Sequence, residues 1–538
     1  MKELPLIIEN LTFQYRRRSE PAIDKINFSV QPGQVMLIAG SSGCGKTTLM
    51  RCINGLIPHT YQGEMSGDIR LFGKSVTGLG LADISQTVGT LLQDPERQIL
   101  GSYVINEVAF GLESLGISRV EIIPRVEKTL DRLGILHLRD RETFGTSGGE
   151  KQKIALAGVL TMEPKILLLD EPLASLDPVS AQEALQVFRQ LADDGITVII
   201  VEHRVEDVLS IHPDVFMYLE EGKVAYIGDT DGLMDVVDYR RIKLPARIVL
   251  ERARGDPAPV FVPAANSRSE IEMELVRFEE VHFRYHEDDP EVLKGLNFSV
   301  NAGDVIAVLG HNGSGKTTMV KHALGLLKPT EGRVLLEGQE TRKMTVAQAA
   351  HTVGYVFQSP SQMLFAPTVR EELSFGPKNL GFPVDTISQN VDWAIETVNL
   401  KSEMDMPPLA LSFGQQKRIS IAAILAMRSR ILMMDEPTAG QDYWNYQAFM
   451  DAILQMPGFD AVIFITHDVD LAVIYANRIL LVYRGEIAAD GKPQEVLKDE
   501  KLLRSCRVLP TSLLKLNLEY LPMTGRFYRA ETLAHVQS

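Results

Sequence analysis

The sequence predicts an α/β protein made of two tandem copies of one domain, each built on a mostly parallel sheet. A glycine-rich motif occurs twice, and its two lysines, Lys46 and Lys316, are 270 positions apart. Each motif lies between a short apolar run and a helix-like segment, an order typical of α/β domains. Two further strand-length apolar runs, residues 165–169 and 430–434, are expected in a parallel sheet that is buried on both faces.

The repeat extends well beyond the glycine motif. Other matched pairs keep almost the same separation, 265 or 264 positions: Gln93 with Gln358, Ser147 with Ser412, Asp170 with Asp435, and His203 with His467. A nearly constant separation over so many features indicates a duplicated domain with small insertions.

The repeat also predicts the domain bounds. We expect a first domain over residues 1–235, a tail and linker over 236–271, a second domain over 272–500, and a small tail element over 501–538. The linker is predicted because the stretch after Arg254 is rich in proline, alanine and polar residues. Each tail is expected to contain a short helical element.

The composition of the chain argues against a nucleic-acid-binding, membrane-spanning or secreted protein. The net charge of -15 argues against non-specific nucleic-acid binding, which needs a basic surface. No apolar run approaches the roughly 18 residues that span a bilayer, and no secretory signal is evident at the N-terminus. The three cysteines fit a reducing compartment, so we expect a cytoplasmic protein.

The glycine motifs predict a nucleotide site in each copy. Residues 35–38 and 305–309 are predicted strands, and residues 46–53 and 316–324 are predicted helices. Both motifs satisfy GxxxxGK[ST], in which loop N–H groups and the helix N-terminus hold phosphates, the lysine adds charge and the threonine binds Mg²⁺. The predicted cofactors are ATP and Mg²⁺, and the predicted loop residues are Gly40, Ser41, Ser42, Gly43, Cys44, Gly45, Lys46, Thr47, Thr48, Gly310, His311, Asn312, Gly313, Ser314, Gly315, Lys316, Thr317 and Thr318.

An Asp-Glu pair ends a predicted strand in each copy. Asp170 and Asp435 are placed to hold Mg²⁺, and the adjacent Glu171 and Glu436 are placed to act as general bases on the attacking water. Their matched distances from the two lysines favour this role over that of solvated surface acids.

Residues 146–150 read TSGGE and residues 411–415 read LSFGQ, and both resemble the LSGGQ signature of ABC ATPases. Further positions resemble elements of that family in the same order. The resemblance implies that Tyr15 and Tyr285 stack on adenine and that Gln93 and Gln358 contact Mg²⁺ and water. It also implies D-loop aspartates and switch histidines, which are Asp177, Asp442, His203 and His467.

The resemblance implies more than the shared motifs. Each domain would add an antiparallel β subdomain and a helical signature subdomain to its core sheet, and the two domains would face each other head to tail. Each ATP would then lie between the glycine loop of one domain and the signature of the other. The implied signature contacts are Ser147, Gly148, Gly149, Ser412, Phe413 and Gly414. The implied catalytic residues are Glu171, Glu436, His203, His467, Gln93 and Gln358, and the implied metal ligands are Thr47, Gln93, Asp170, Thr317, Gln358 and Asp435.

The two signatures depart from the family pattern in different ways. Thr146 and Glu150 replace the usual leucine and glutamine in the first, and Phe413 replaces the first glycine in the second. The serine and the second glycine are present in both. We therefore expect two hydrolytic sites with unequal rates.

Three kinds of ABC protein fit a chain without membrane helices: the duplicated ATPase of an energy-coupling-factor vitamin importer, that of a sugar importer, and a soluble translation or DNA-handling factor. Residues 93–98, 104–111, 358–362 and 369–376 resemble the energy-coupling-factor pattern. That resemblance implies a transmembrane scaffold subunit and a small substrate-binding membrane subunit as partners. It implies a peripheral position on the cytoplasmic face of the membrane, no nucleic acid, and a cargo similar to a thiamine precursor.

Overall fold

The computed structural model describes residues 3–16, 18–174, 176–257, 273–438 and 443–536. They form two compact units, of which the first extends to Leu244 and the second begins at Pro245. Most of the predicted linker and the predicted D-loop residue Asp442 lie outside the described residues. Each unit contains one antiparallel sheet and one mainly parallel sheet, together with helices, so the predicted fold class is confirmed.

From β3 onward, helices separate most of the strands of the first unit. The strands are β1 (Leu6–Tyr15), β2 (Ile23–Val30), β3 (Val35–Ala39), β4 (Gly63–Leu71), β5 (Lys74–Ser75), β6 (Val88–Leu91), β7 (Ile166–Asp170), β8 (Thr197–Val201), β9 (Val215–Glu220) and β10 (Lys223–Gly228). The helices are α1 (Lys46–Ile53), α2 (Leu56–His59), α3 (Leu81–Thr87), α4 (Pro95–Gln98), α5 (Val104–Ser114), α6 (Arg119–Arg132), α7 (Gly148–Leu160), α8 (Pro178–Asp193), α9 (Val205–Leu209) and α10 (Thr230–Val236).

The two sheets of the first unit have different patterns. The smaller sheet has the order β2-β1-β4-β5 and is antiparallel. The larger has the order β10-β9-β3-β8-β7-β6, in which only β10 runs antiparallel to its neighbour. Residues of both sheets and of α1 share one apolar core, which includes Ile8, Ile38, Leu49 and Ile53. Burial on both faces explains the continuous apolar character of β3, β7 and β8.

The second unit begins with a helix from the tail of the first repeat. Its helices are α11 (Ala246–Ala253), α12 (Lys316–Ala323), α13 (Val346–Ala350), α14 (Val369–Asn379), α15 (Val384–Thr397), α16 (Phe413–Ala426), α17 (Tyr443–Gln455), α18 (Val469–Tyr475), α19 (Pro493–Val496), α20 (Glu500–Ser505), α21 (Ser512–Thr524) and α22 (Ala530–Leu533). Its strands are β11 (Glu274–Phe283), β12 (Leu293–Asn301), β13 (Val305–Leu309), β14 (Glu331–Leu336), β15 (Gln339–Glu340), β16 (Val353–Val356), β17 (Ile431–Asp435), β18 (Ala461–Ile465), β19 (Arg478–Tyr483) and β20 (Glu486–Gly491).

The second unit repeats the topology of the first. The sheet orders are β12-β11-β14-β15 and β16-β17-β18-β13-β19-β20. Single 3₁₀ turns in the two units lie at Val76–Gly78, Leu136–Leu138, Thr341–Lys343, Pro360–Gln362, Lys401–Glu403 and Pro408–Ala410. Among the described residues, no helix is long and apolar enough to cross a membrane.

The tail helix α11 packs against α21 and α22. The backbone N–H of Ala246 donates to Ser512 Oγ at 2.8 Å, and Arg247 forms an ion pair with Glu519 at 2.8 Å. Both predicted tails therefore contain helices, but the tail of the first repeat is part of the second compact unit.

Candidate functional site

The glycine loops follow β3 and β13 and lead directly into α1 and α12. Each loop leaves its strand at a position where only glycine fits. A Cβ atom at Gly40 would lie 2.3 Å from the carbonyl oxygen of Leu219, and one at Gly310 would lie 2.2 Å from that of Val482. The last glycines, Gly45 and Gly315, are the N-caps of the two helices. The motifs thus form the strand–loop–helix unit that the sequence predicts.

The predicted phosphate-binding lysines are buried beneath these loops. Lys46 Nζ donates to the carbonyl oxygens of Gly40 and Ser41 at 2.8 and 2.9 Å. Lys316 makes the same pair of bonds in the second loop, at 2.7 and 2.8 Å. Each charge is therefore fixed at the N-terminus of a helix, where a bound anion is favoured by the helix dipole and by the lysine.

The other predicted loop residues differ in exposure. The loop tips are exposed, at Ser42, Gly43, Asn312 and Gly313, and Ser41 and His311 are half-buried. Cys44 and Ser314 are buried beneath the tips. Burial raises the pKa of the Cys44 thiol more than nearby Lys46 lowers it, so the thiol is neutral at pH 7 and is unreactive for a cysteine.

The predicted adenine-stacking tyrosines lie beside the same helices. The hydroxyl of Tyr15 is 3.2 Å from Thr48 Oγ1, and that of Tyr285 is 3.2 Å from Thr318 Oγ1. Each ring packs edge-on against a phenylalanine two residues earlier in the strand, with centroids 4.8 and 5.0 Å apart. The two tyrosines therefore occupy equivalent places in the two units, next to the glycine loop.

Three predicted residues of the first site meet at the carboxyl edge of the large sheet. Parallel β6, β7 and β8 are neighbours, so the residues that follow them are brought together. Gln93 Nε2 donates to Glu171 Oε2 at 2.6 Å, and His203 Nε2 lies 2.8 Å from Glu171 Oε1. Glu171 has a φ of 46° in the left-handed region, a strained backbone that recurs at Glu436 with a φ of 44°. Both carboxylates are thus held in one orientation by backbone and side-chain partners.

The acids of each Asp-Glu pair have opposite pKa shifts. Burial and the adjacent charge of Glu171 raise the pKa of Asp170 to about 6. Burial also raises the pKa of Glu171, but the hydrogen bond and charge of His203, the charge of Lys46 and the bond from Gln93 outweigh it and leave that pKa below its ordinary value. Glu171 is therefore an ionised acceptor at neutral pH, the state that a general base requires.

The second site has the same residue types in a slightly different arrangement. His467 Nδ1 lies 2.9 Å from Glu436 Oε1. His467 and Lys316 leave the pKa of Glu436 below its ordinary value despite burial, and burial together with Glu436 raises the pKa of Asp435. Gln358 is exposed and, among the described residues, has no hydrogen-bond partner that would match the Gln93–Glu171 bond of the first site.

Two side chains donate hydrogen bonds to Asp435, a combination that the sequence did not predict. Its Oδ2 accepts from Thr317 Oγ1 at 3.0 Å and from the hydroxyl of Tyr355 at 2.8 Å. The matched position in the first unit is Thr90, and Thr47 there is exposed. Comparison of aligned repeat positions would have revealed the Tyr355 difference, but only the structure shows that this side chain reaches Asp435.

Glu202 is a second residue that distinguishes the sites. It is 2% exposed, and its Oε1 accepts from the backbone N–H groups of His203 and Arg204 at 2.8 and 3.1 Å. The second unit has Thr466 at this position, whose hydroxyl lies 3.3 Å from Glu436 Oε2. Glu202 therefore holds the backbone at His203 in the first unit, whereas Thr466 contacts Glu436 itself in the second.

Each candidate signature forms the N-terminus of a helix. Ser147 and Ser412 are the N-caps of α7 and α16, and their hydroxyls accept from the backbone N–H groups of Glu150 and Gln415. The side-chain oxygens of Glu150 and Gln415 in turn accept from the backbone N–H groups of the same serines at 2.8 and 3.0 Å. Glu150 therefore keeps the capping box that glutamine would form, although it adds a negative charge. Gly148, Gly149, Phe413 and Gly414 form the first turns of these helices.

The residues present fit a magnesium ion. No group of three or more His, Cys, Asp or Glu side chains in the described part of the chain could hold a metal by itself. Mg²⁺ characteristically takes one or two protein oxygens and completes its shell with phosphate and water. Thr317 Oγ1 and Asp435 Oδ2, which are 3.0 Å apart, offer such a pair of oxygens.

Exposed apolar side chains follow the glutamine segment in each unit, and we call these groups the apolar patches: Leu100 and Phe144 in the first unit, and Phe365 and Phe375 in the second. The most exposed members are Leu100 and Phe144 at 71% and Phe365 at 62%. Buried Glu107 accepts from the backbone N–H groups of Leu100 and Gly101, both at 2.7 Å. Buried Glu372 accepts from Phe365 and Ala366 in the same way, both at 2.8 Å. These carboxylates fix the exposed apolar residues in place.

The sequence of this chain is similar to those of known proteins. A family model described as ABC transporter matches residues 23–174 and 293–439, one segment in each repeat. A Streptococcus pneumoniae protein is 35% identical over 98% of both chains, and a Methanosarcina mazei protein is 35% identical over 95% of this chain and 93% of its own. Both are assigned as ABC transporter ATP-binding proteins. A solved structure of cbiO1 from Clostridium perfringens, described as part of the ABC transporter complex cbiONQ, is 31% identical, covers 47% of this chain and 96% of its own, and has a TM-score of 0.41.

Proposed function

Because the chain belongs to the ABC transporter family of ATP-binding proteins, which are ATPases, we propose that it is the energy-coupling subunit of a membrane importer. The importer is of the energy-coupling-factor type, and its cargo is a vitamin or a related small molecule similar to a thiamine precursor. The observation that carries the proposal is the presence of a full catalytic set in each unit: a buried lysine under a glycine loop, an Asp-Glu pair and a histidine on the glutamate.

The proposed mechanism uses two composite ATP sites. The first joins Lys46, Glu171 and His203 to the second signature at Ser412. The second joins Lys316, Glu436 and His467 to the first signature at Ser147. The phosphates of each ATP hold the two units together, and hydrolysis releases them, so that binding and hydrolysis drive a cycle of closure and opening.

Within each site the side chains have separate tasks. Lys46 binds phosphate charge, and Glu171 accepts a proton from the attacking water at the carboxylate oxygen that Gln93 or His203 orients. Asp170 and Thr47 would hold Mg²⁺ in the first site, and Asp435 and Thr317 in the second. When bound, the ion supplies positive charge to the phosphate oxygens.

The exposed apolar patches are proposed as the docking surfaces for the membrane subunits. They lie in sequence between Gln93 or Gln358 and the signature helix of the same unit, so a partner bound there can influence hydrolysis. Contiguous exposed apolar patches mark protein–protein or membrane interaction sites. Residues 93–98 and 358–362, which resemble the energy-coupling-factor pattern, adjoin these patches.

We further propose that the two docking surfaces receive the scaffold differently. Asp94 in the first unit would accept arginine side chains of the scaffold in charge-assisted hydrogen bonds, as would Glu96, whose side chain lies outside the described part of the structure. Asp94 already pairs with Arg97 at 3.2 Å, so it can exchange one guanidinium for another. The corresponding positions of the second unit are Ser359 and Ser361, whose hydroxyls are 2.9 Å apart. Because these two hydroxyls are neutral, they favour a contact with the scaffold that is not an ion pair.

Co-purification from solubilised membranes tests the proposal. The tagged chain is expected to retain an integral-membrane subunit, and the Leu100→Asp/Phe365→Asp variant is expected to lose most of it, because a charge in an apolar interface is costly to bury. Asp94→Ala should weaken recovery to a lesser extent.

Val120→Asp is the matched control for that experiment. Val120 on α6 is 85% exposed and lies outside both patches, so the same change of charge there should leave recovery of the subunit intact. ATP binding by each variant reports correct folding. Recovery of a ribosome instead of a membrane subunit would refute the importer and favour the translation-factor alternative.

A further inference from the structure

In each unit a side chain from the signature helix reaches the loop that carries the proposed general base. Lys417 of α16 donates from Nζ to the carbonyl oxygen of Pro437 at 2.5 Å. The matched residue of α7, Gln152, donates from Nε2 to the carbonyl oxygen of Pro172. Both prolines directly follow the glutamate of the Asp-Glu pair. The same connection is therefore made twice, by two chemically different donors.

Lys417 has an unusual environment for a lysine. It is 1% exposed, and its Nζ lies over the rings of Phe413 at 5.1 Å and Phe449 at 5.7 Å. Burial lowers its pKa to about 7, although the charge of Glu436 acts in the opposite direction. Burying an ammonium group costs free energy that a glutamine or an apolar side chain would avoid. The first unit avoids this cost with Gln152, so packing alone does not require the lysine.

The contacts of Lys417 join two functional segments. Phe413 is the first residue of α16, directly after the capping Ser412, and Phe449 belongs to α17. Through one side chain, the signature turn, α17 and the backbone next to Glu436 are connected. A small displacement of α16 is therefore transmitted to the segment that orients Glu436, because a buried hydrogen bond and two ring contacts resist separation.

We propose that Lys417 and Gln152 are positioning residues that couple each signature helix to the general-base loop of the same unit. The inference rests on the proposed head-to-tail function. Under that arrangement, α16 contacts the nucleotide of the site that contains Glu171, whereas Pro437 belongs to the site that contains Glu436. The hydrogen bond of Lys417 thus connects the two ATP sites: closure of one site sets the position of the general base in the other.

The two connections use donors of different chemistry. The second unit has an amine at Lys417, and the first unit has a neutral amide at Gln152.

Steady-state ATP hydrolysis by the full chain tests the coupling. Lys417→Met keeps a side chain of similar length but removes the donor. In the Glu171→Gln protein, where only the Glu436 site can hydrolyse, it should lower kcat about tenfold, the effect expected for one lost hydrogen bond to a buried group. KM for ATP should stay within about twofold, since Lys417 acts through Pro437 and not on the nucleotide. Lys417→Gln restores the donor that the first unit uses, and its kcat in the same background should return to within about twofold of the value with Lys417.

Other results would overturn the coupling. An unchanged kcat for Lys417→Met, a Gln variant no better than the Met variant, or a fall in kcat matched by a rise in KM would each contradict it. Thermal unfolding of both variants separates loss of coupling from loss of the fold.

Two backgrounds separate this inference from the proposed function. In the Glu171→Gln protein only the Glu436 site can hydrolyse ATP, so Lys417→Met should lower kcat there. In the Glu436→Gln protein Lys417→Met should leave kcat unchanged. Equal losses in both proteins would reduce Lys417 to a structural role and refute the coupling.

Ser412→Ala tests the head-to-tail arrangement instead. It should slow the Glu436→Gln protein, and an effect confined to the Glu171→Gln protein would refute that arrangement while leaving the bond between Lys417 and Pro437 as a local positioning contact.

Discussion

We expect the Glu171→Gln/Glu436→Gln protein to hydrolyse ATP about 10²- to 10⁴-fold more slowly than the unmodified chain, the range that one general base contributes. Each glutamate is half-buried, oriented by a histidine at 2.8 or 2.9 Å and ionised at neutral pH. Glutamine keeps the size and most hydrogen bonds of glutamate but cannot accept the proton of water. ATP binding should therefore survive while turnover is lost. Phosphate release under saturating ATP measures the effect.

The single variants Glu171→Gln and Glu436→Gln test whether both sites hydrolyse ATP and at what relative rates. Each should lose a different fraction of the activity, because the sites differ at Gln93 against Gln358, at Thr90 against Tyr355, and in their signatures. If one single variant were fully active and the other inactive, one of the two sites would serve structure alone and the expectation of two hydrolytic sites would be wrong.

Removing both loop lysines should have the second large effect. In Lys46→Ala/Lys316→Ala, affinity for MgATP is expected to fall by about 30-fold or more, the loss that corresponds to about 2 kcal/mol for truncating a buried charge partner. The lysines are 5% and 7% exposed, so water replaces them poorly as phosphate ligands. Equilibrium binding of a fluorescent ATP analogue gives the dissociation constant.

Lys321→Ala is the control for the lysine variants. Lys321 belongs to the last turn of α12, away from the glycine loop, and its loss should leave affinity unchanged. Affinity that survives in the double variant would show that the glycine loops do not hold the phosphates.

The fold could be predicted in detail because its signals are local. Residues 35–38 and 305–309 predict β3 and β13 to within one residue, and residues 46–53 match α1. Fully apolar runs and glycine motifs report burial and backbone conformation, which depend little on distant contacts. Because the sequence is repeated, each apolar run or glycine motif in one half was supported by the matching pattern in the other half.

The meeting of Gln93, Glu171 and His203 could also be anticipated, because all three follow neighbouring parallel strands. The contacts of Tyr355 and Lys417 could not. Each depends on a side chain that crosses from one element to another, and no local pattern in the sequence specifies that distance. For the same reason, the sequence predicted a helix in each tail but did not indicate that α11 packs against α21 and α22.

Counting bound nucleotides tests the central claim most directly. The Glu171→Gln/Glu436→Gln protein can be titrated with MgATP, since slow hydrolysis leaves the ligand intact during the measurement. We predict two ATP molecules per chain, falling to one when either Lys46 or Lys316 is replaced by alanine. A single bound ATP per chain before the lysine is replaced, or none, would contradict two nucleotide sites built on the two glycine loops.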